Sequence, residues 1–308
     1  MITYPQIARA FYLEPLALDE ATMLSIHMWL WPRISGKISE ALPTEAEMAA
    51  GKEKPIKSAI MPHTRRSMAS PVYDFDGRIT DDRYYYTVDG KPSIAVIPVN
   101  GMLAKGAGFF QEVCMGAVNT DRISHALNQA VAAKEVKDIV FDFGSPGGKT
   151  TGIPELGAQI KAATEVRGKT LYAFTDSLTA SAAEWLASQC DEVLMTPSSQ
   201  VGSIGTYLAF LNPKVAMQMQ GYSLELFAQG THKGIGLPGR DLTQADRGYL
   251  QGIVNDLNAQ FVAAVKGGRP KASEEALRDA KVYDGPTAMK HGLADGLVAN
   301  WDEFISAL

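Results

Sequence analysis

Three short stretches carry residues able to do chemistry together. "TASAAEWLAS" (179–188) sets Ser181 among alanines where an apolar helical pattern begins. A serine there is either a helix cap or a nucleophile, and Ser177 or Thr179 could cap equally well. "GSPGGKTTG" (144–152) lies between a strand-like run and a helical one. It is either an ordinary turn or a place where glycine amides approach a developing anion. It is not a nucleotide loop, since neither G-x-x-x-x-G-K-[ST] nor a full G-x-G-x-x-G occurs. "GTHKGIGLP" (230–238) carries His232 and Lys233. A hydroxyl needs a base to take its proton, and a lysine buried in a glycine-rich apolar loop can serve as one. The alternative is a solvated loop charge, the usual state of a lysine.

The other histidines are poorer bases. His27 and His63 fall in an N-terminal appendage, and His125 and His291 sit on helical patterns. Two cysteines, Cys114 and Cys190, form neither a disulfide framework nor a metal cluster. Twenty-nine basic residues against 34 acidic ones give a net charge of −5, which offers no case for nucleic-acid binding. The run "MLSIHMWLWP" (23–32) is broken by Ser25, His27 and Pro32. It falls short of the roughly 20 apolar residues a membrane span needs. A cytoplasmic protein without a membrane span or signal peptide is expected.

The elements that must position these residues begin at Ser93. Before it, residues 1–92 read as an arm and linker, with one amphipathic helix from Asp19 to Trp31 and an irregular, polar remainder. From 93 to 308 strands and helices alternate. Strands are expected at 93–101, 137–148, 170–176, 192–197 and 222–230. Helices are expected at 120–136, at 152–166, from Ser181, and from Thr243 with Leu250, Ile253, Leu257, Phe261 and Val265 on one stripe. This order predicts an α/β domain with a largely parallel sheet, its chemistry in the loops after the strands. At 46% hydrophobic residues, the chain can bury one large core plus an appendage.

In order, "DFGSPGG", "TASAAEWLAS", "GTHKGIGLP" and the late "KVYDGPTAMKHGLADGLV" (281–298) resemble peptidase family S49, the signal-peptide-peptidase-A-like serine proteases. The resemblance covers about 93–300 and implies a ClpP/crotonase-like fold of repeated β-β-α units. It implies Ser181 as nucleophile, Lys233 as general base, and the amides of Gly147 and Gly148 at the oxyanion, with no metal or organic cofactor. It also implies a homo-oligomeric ring in which neighbouring protomers can share serine and lysine. The arm, without a membrane anchor, resembles phage-encoded members that process capsid or scaffold proteins. That places the protein in host cytoplasm or a phage prohead, with peptides or proteins as substrates. The rival readings are a bacterial signal-peptide-degrading protease, a crotonase-like acyl-CoA enzyme, and a dead capsid-associated structural protein. Two residues depart from the family pattern. Glu184 stands where an aromatic or small residue is usual, and Gly144 where Asn or Asp is commoner.

Overall fold

A computed structural model describes residues 83–107 and 116–308, together with the backbone of three short strands at 16–18, 72–73 and 79–81. The helix expected at Asp19–Trp31 lies outside the described residues. The strands are β1 (Leu16–Leu18), β2 (Val72–Tyr73), β3 (Ile79–Asp81), β4 (Tyr86–Val88), β5 (Lys91–Asn100), β6 (Met102–Ala104) and β7 (Ala117–Asn119). They continue with β8 (Asp138–Ser145), β9 (Gly147–Lys149), β10 (Thr170–Ala180), β11 (Glu192–Met195), β12 (Gln200–Gly202), β13 (Val282–Asp284) and β14 (Gly296–Leu297). The helices are α1 (Thr120–Ala132), α2 (Ile153–Thr164), α3 (Ala182–Ala187), α4 (Lys214–Met219), α5 (Gln244–Gly268), α6 (Glu274–Arg278), α7 (Gly285–Lys290) and α8 (Trp301–Ala307).

The domain is α/β with a largely parallel main sheet. Its order is β13-β12-β10-β8-β5-β4, and β11 pairs β10 while β14 pairs β11. Pairings β5–β8, β8–β10, β10–β11, β10–β12 and β11–β14 are parallel; β4 and β13 pair antiparallel. The chain builds this by two successive passes, β5-β6-β7-α1 and β8-β9-α2. In each, the first strand (β5, then β8) enters the main sheet. The next (β6, then β9) enters a smaller sheet of order β1-β9-β6-β7, and a helix returns the chain.

The central strands read as continuous apolar runs because helices cover both faces. Ile97, Val99, Phe141, Phe143, Leu171 and Ala173 face the major core, with residues of α1, α2, α3 and α5. Their alternates Ile94, Val96, Val140 and Phe174 face Phe304 and Ile305 of α8, and the Phe174 and Phe304 rings stack at 4.9 Å. Thr170–Ala180 is longer than the strand expected at 170–176. It lends its first half to β11 and, past a register shift between Thr175 and Thr179, its second half to β12.

Two expectations changed beyond Ser203. No strand forms at 222–230, and all of those residues are exposed. No described strand pairs with this segment, and its exposed amides are open to water instead. The α5 stripe is real but unevenly covered. Phe261 and Val265 are buried, whereas Leu250, Ile253 and Leu257 are only half-buried. With Met219 at 84% and Phe227 at 92% exposure, this end of the domain presents apolar surface that the described residues leave uncovered.

Candidate active site

Strand register assembles the first half of the site. β8 and β10 run parallel with Ser145 opposite Thr179. Two residues further on lie Gly147 in one chain segment and Ser181 in the other. Both strands thus deliver their turns to one edge of the sheet, where open α/β sheets place ligands.

The Ser145-Pro146-Gly147-Gly148 turn is stiffened from within. Ser145 Oγ donates to Gly101 O at 2.6 Å and accepts from Gly147 N at 3.2 Å. Gly147 has φ +98°, a conformation that excludes other residues. A methyl on Gly148 would sit 2.0 Å from Leu103 O, so β9 and β6 pack only through a bare backbone. Gly144 is equally constrained, because a Cβ there would meet Asn100 Oδ1 at 2.3 Å. The Asn100 side chain therefore fills the space that a larger residue at 144 would occupy.

Ser181 is not a helix cap. It precedes α3 yet makes no side-chain capping bond, and its Oγ donates only a long 3.4 Å bond to Gly205 O. Its backbone takes φ +56°, ψ −118°, a strained state for a residue with a Cβ. Two backbone bonds enforce this: Ser181 N donates to Gly202 O at 2.8 Å, and Trp185 N to Ser181 O at 2.9 Å. Strain without a capping bond is what a turn aiming a hydroxyl would show.

Lys233 is exposed, and among the described residues its ammonium has no hydrogen bond or ion pair. The single chain thus gives neither the expected burial nor a bond to Ser181. Its loop is nonetheless anchored. The buried Asp246 carboxylate accepts from His232 Nδ1 (2.9 Å), Arg240 (2.8 Å), Thr243 N (3.0 Å) and Thr243 Oγ1 (2.8 Å). The His232 hydrogen bond, above all, holds this carboxyl well below the usual aspartate range. The His232 ring also stacks on Tyr249 at 4.7 Å. The residue before Lys233 is therefore fixed to the first turn of α5. Sequence reasoning missed Asp246; the signal was the capping-box pattern of Thr243 and Asp246, which gives no hint of the histidine.

Glu184 lies in the first turn of α3 and is fully buried. Burial drives its carboxyl well above the ordinary glutamate range. The Arg269 guanidinium and, less, the Gly202 amide pull the other way. Neither carboxyl oxygen completes a hydrogen bond. Arg269 itself is spent on Ser188 O, Cys190 O and Asp295. The carboxyl whose ionised form burial disfavours thus sits three residues after Ser181.

Among the described residues there is no group of three metal-ligating side chains and no helix long and apolar enough to cross a membrane. The sequence profile described as peptidase family S49 matches residues 163–308. The chain is similar to capsid assembly protease C of Escherichia phage lambda, at 30% identity over 71% of this chain and 49% of the relative. It is similar to head-tail preconnector protein GP5 of Enterobacteria phage P21, at 30% over 73% and 44%. Protease 4 of Salmonella typhi is 24% identical over 67% and 32%. The chain spans about half the length of the two phage relatives.

Two outcomes follow from this geometry. Ser181→Gly relieves the positive φ and should raise stability by about 1 kcal/mol, lifting the melting temperature by roughly 3 °C. A calorimetric scan showing destabilisation would mean the turn is not strained. Glu184→Gln separates charge from shape. A carboxyl raised in the folded state loses stability as pH climbs above its unfolded value of about 4.3. The variant should melt level with the parent near pH 4 and progressively above it toward pH 8. Parallel melting curves across that range would show that Glu184 is not held neutral.

Proposed function

Because the chain belongs to peptidase family S49, we propose that it is a serine endopeptidase working through a Ser181/Lys233 dyad and an acyl-enzyme. The observation that carries this is the strained, non-capping Ser181 at the sheet edge beside the Gly147–Gly148 turn. Neutral Lys233 takes the Ser181 proton as Oγ attacks the peptide carbonyl carbon. The amides of Gly147 and Gly148 stabilise the oxyanion, with Gly147 N trading its long bond to Ser145 Oγ for the stronger charged acceptor. The lysinium then protonates the leaving amine, and water repeats the sequence to release the acid. The mechanism has no step for a metal or organic cofactor.

Lys233 comes from a neighbouring protomer in this reading. Its exposure in the single chain, together with the uncovered Met219, Tyr222 and Phe227, fits a head-to-tail contact that repeats around a closed ring. Covering Lys233 there would disfavour its charged form. The likeness to a capsid assembly protease and a head-tail preconnector protein favours capsid or scaffold proteins as substrates over signal peptides. The corresponding location is host cytoplasm or a phage prohead. A crotonase-like acyl-CoA enzyme would have no use for Ser181 or Lys233, and a dead structural relative would have no reason to keep the strained serine.

A fluorophosphonate probe should label Ser181 in the parent, and Ser181→Ala and Lys233→Ala should each abolish peptide cleavage while His232→Ala retains most of it. The two inactive proteins, unfolded and co-refolded in equal amounts, should recover activity at about a quarter of the interfaces of a ring. An unlabelled Ser181 in folded parent protein sinks the peptidase reading. Mixed oligomers seen by mass spectrometry but devoid of activity sink the shared site alone.

A further inference from the structure

The smaller sheet contains a strand the chemistry does not account for. β9 pairs on one side with β6, through Leu103 and Gly148. Along its other edge lies β1, antiparallel, with Leu16 opposite Lys149, Ala17 opposite Gly148 and Leu18 opposite Gly147. These three β9 residues include both glycines assigned to the oxyanion. We propose that the outer edge of β9 is a docking edge for an extended peptide, and that the chain's own Leu16–Leu18 segment is bound there as a tethered competitor of substrate. This rests on the peptidase reading above for its consequence, though not for the contact itself.

The physical case has three parts. An extended peptide can lay its backbone against β9 only along the edge turned away from β6, because β6 already pairs the other side. Main-chain bonding of this kind asks little of sequence, so one edge accepts either the arm or a substrate. The docked segment is also short. Pro15 has no amide proton to extend the ladder, and Asp19 and Glu20 follow directly. Three residues make a weak ladder, one that a longer substrate strand can displace. Tethering compensates for the weakness, because a segment of the same chain is present at an effective concentration of order millimolar. A contact of about 0.1 mM intrinsic affinity would then leave roughly one site in ten open. The arm thus lowers activity toward dilute peptides without altering the catalytic groups.

The test is made in the full chain. Alternate amides of a strand face one neighbour. Ala17→Pro is therefore paired with the double variant Leu16→Pro and Leu18→Pro, since one of the two removes the donors facing β9. Ala17→Val is the control that keeps the pairing. Amide hydrogen exchange across Gly147–Lys149 reads the docking independently of activity. It should speed up in at least one proline variant and stay unchanged in the control. Unchanged exchange in both proline variants overturns the docking, whatever the activity. In the variant whose exchange speeds up, the apparent KM for a short peptide should fall about tenfold with kcat unchanged, the signature of removing a competitor. A synthetic peptide of residues 12–22 should restore the higher KM. A fall in kcat, or no change in KM, overturns the competitor role by showing that β1 completes the fold or the site. Failure of the peptidase reading is recognised separately, by an unlabelled Ser181 in parent and variants alike.

Discussion

The parallel register of β8 on β10 is the constraint on which the site depends. It pairs residues 138–143 with 170–175 in step, then slips once, so that Ser145 meets Thr179. The slip lets one strand serve two partners, β11 before it and β12 after. β12 in turn brings Gly202 O to the N–H of Ser181, one of the two backbone bonds that hold the turn at the serine. A one-residue error in this register would reverse every face of β10 and put Phe174 where Ala173 packs.

Around this register the protein accepts local cost. Ser181 holds an unfavourable backbone, Glu184 carries an unsatisfied buried carboxyl, and Gly148 surrenders a side chain so that β6 and β9 can touch. Each sits within a few residues of the proposed chemistry. The surroundings are well satisfied by comparison. Arg269 bonds Ser188 O, Cys190 O and Asp295, and Asp295 also accepts from Val193 N at 2.8 Å. That network, buried at Arg269 and exposed at Asp295, ties the residue after α5 to the strand after α3.

The two halves of the site differ in kind. The serine half is built into the central sheet and is rigid by packing. The proposed lysine half hangs on a loop fastened to α5 by the buried Asp246 carboxylate and by the stack of His232 on Tyr249. Met219, Tyr222 and Phe227 are exposed on this part of the chain, which fits the contact between protomers proposed above. In the reading proposed above, the competent site forms where protomers meet.

Sequence alone determined the elements that depend on local pattern. The apolar runs of β5, β8 and β10, the amphipathic stretch of α1 and the start of α5 near Thr243 were legible, because periodicity acts over a few residues. The motifs around Gly147, Ser181 and Lys233 were legible as candidate chemistry for the same reason. Tertiary structure decided what depends on distant partners. The 222–230 segment has a strand's composition but pairs with no described strand, so it is not one. Whether Ser181 caps a helix or strains a turn was settled by Gly202, 21 positions away on β12. Asp246 as the anchor of His232, Glu184 as a buried acid, and Leu16–Leu18 on the edge of β9 were invisible for the same reason. Each is a contact between residues far apart in the chain, and no local pattern encodes which distant group a side chain or an amide will meet.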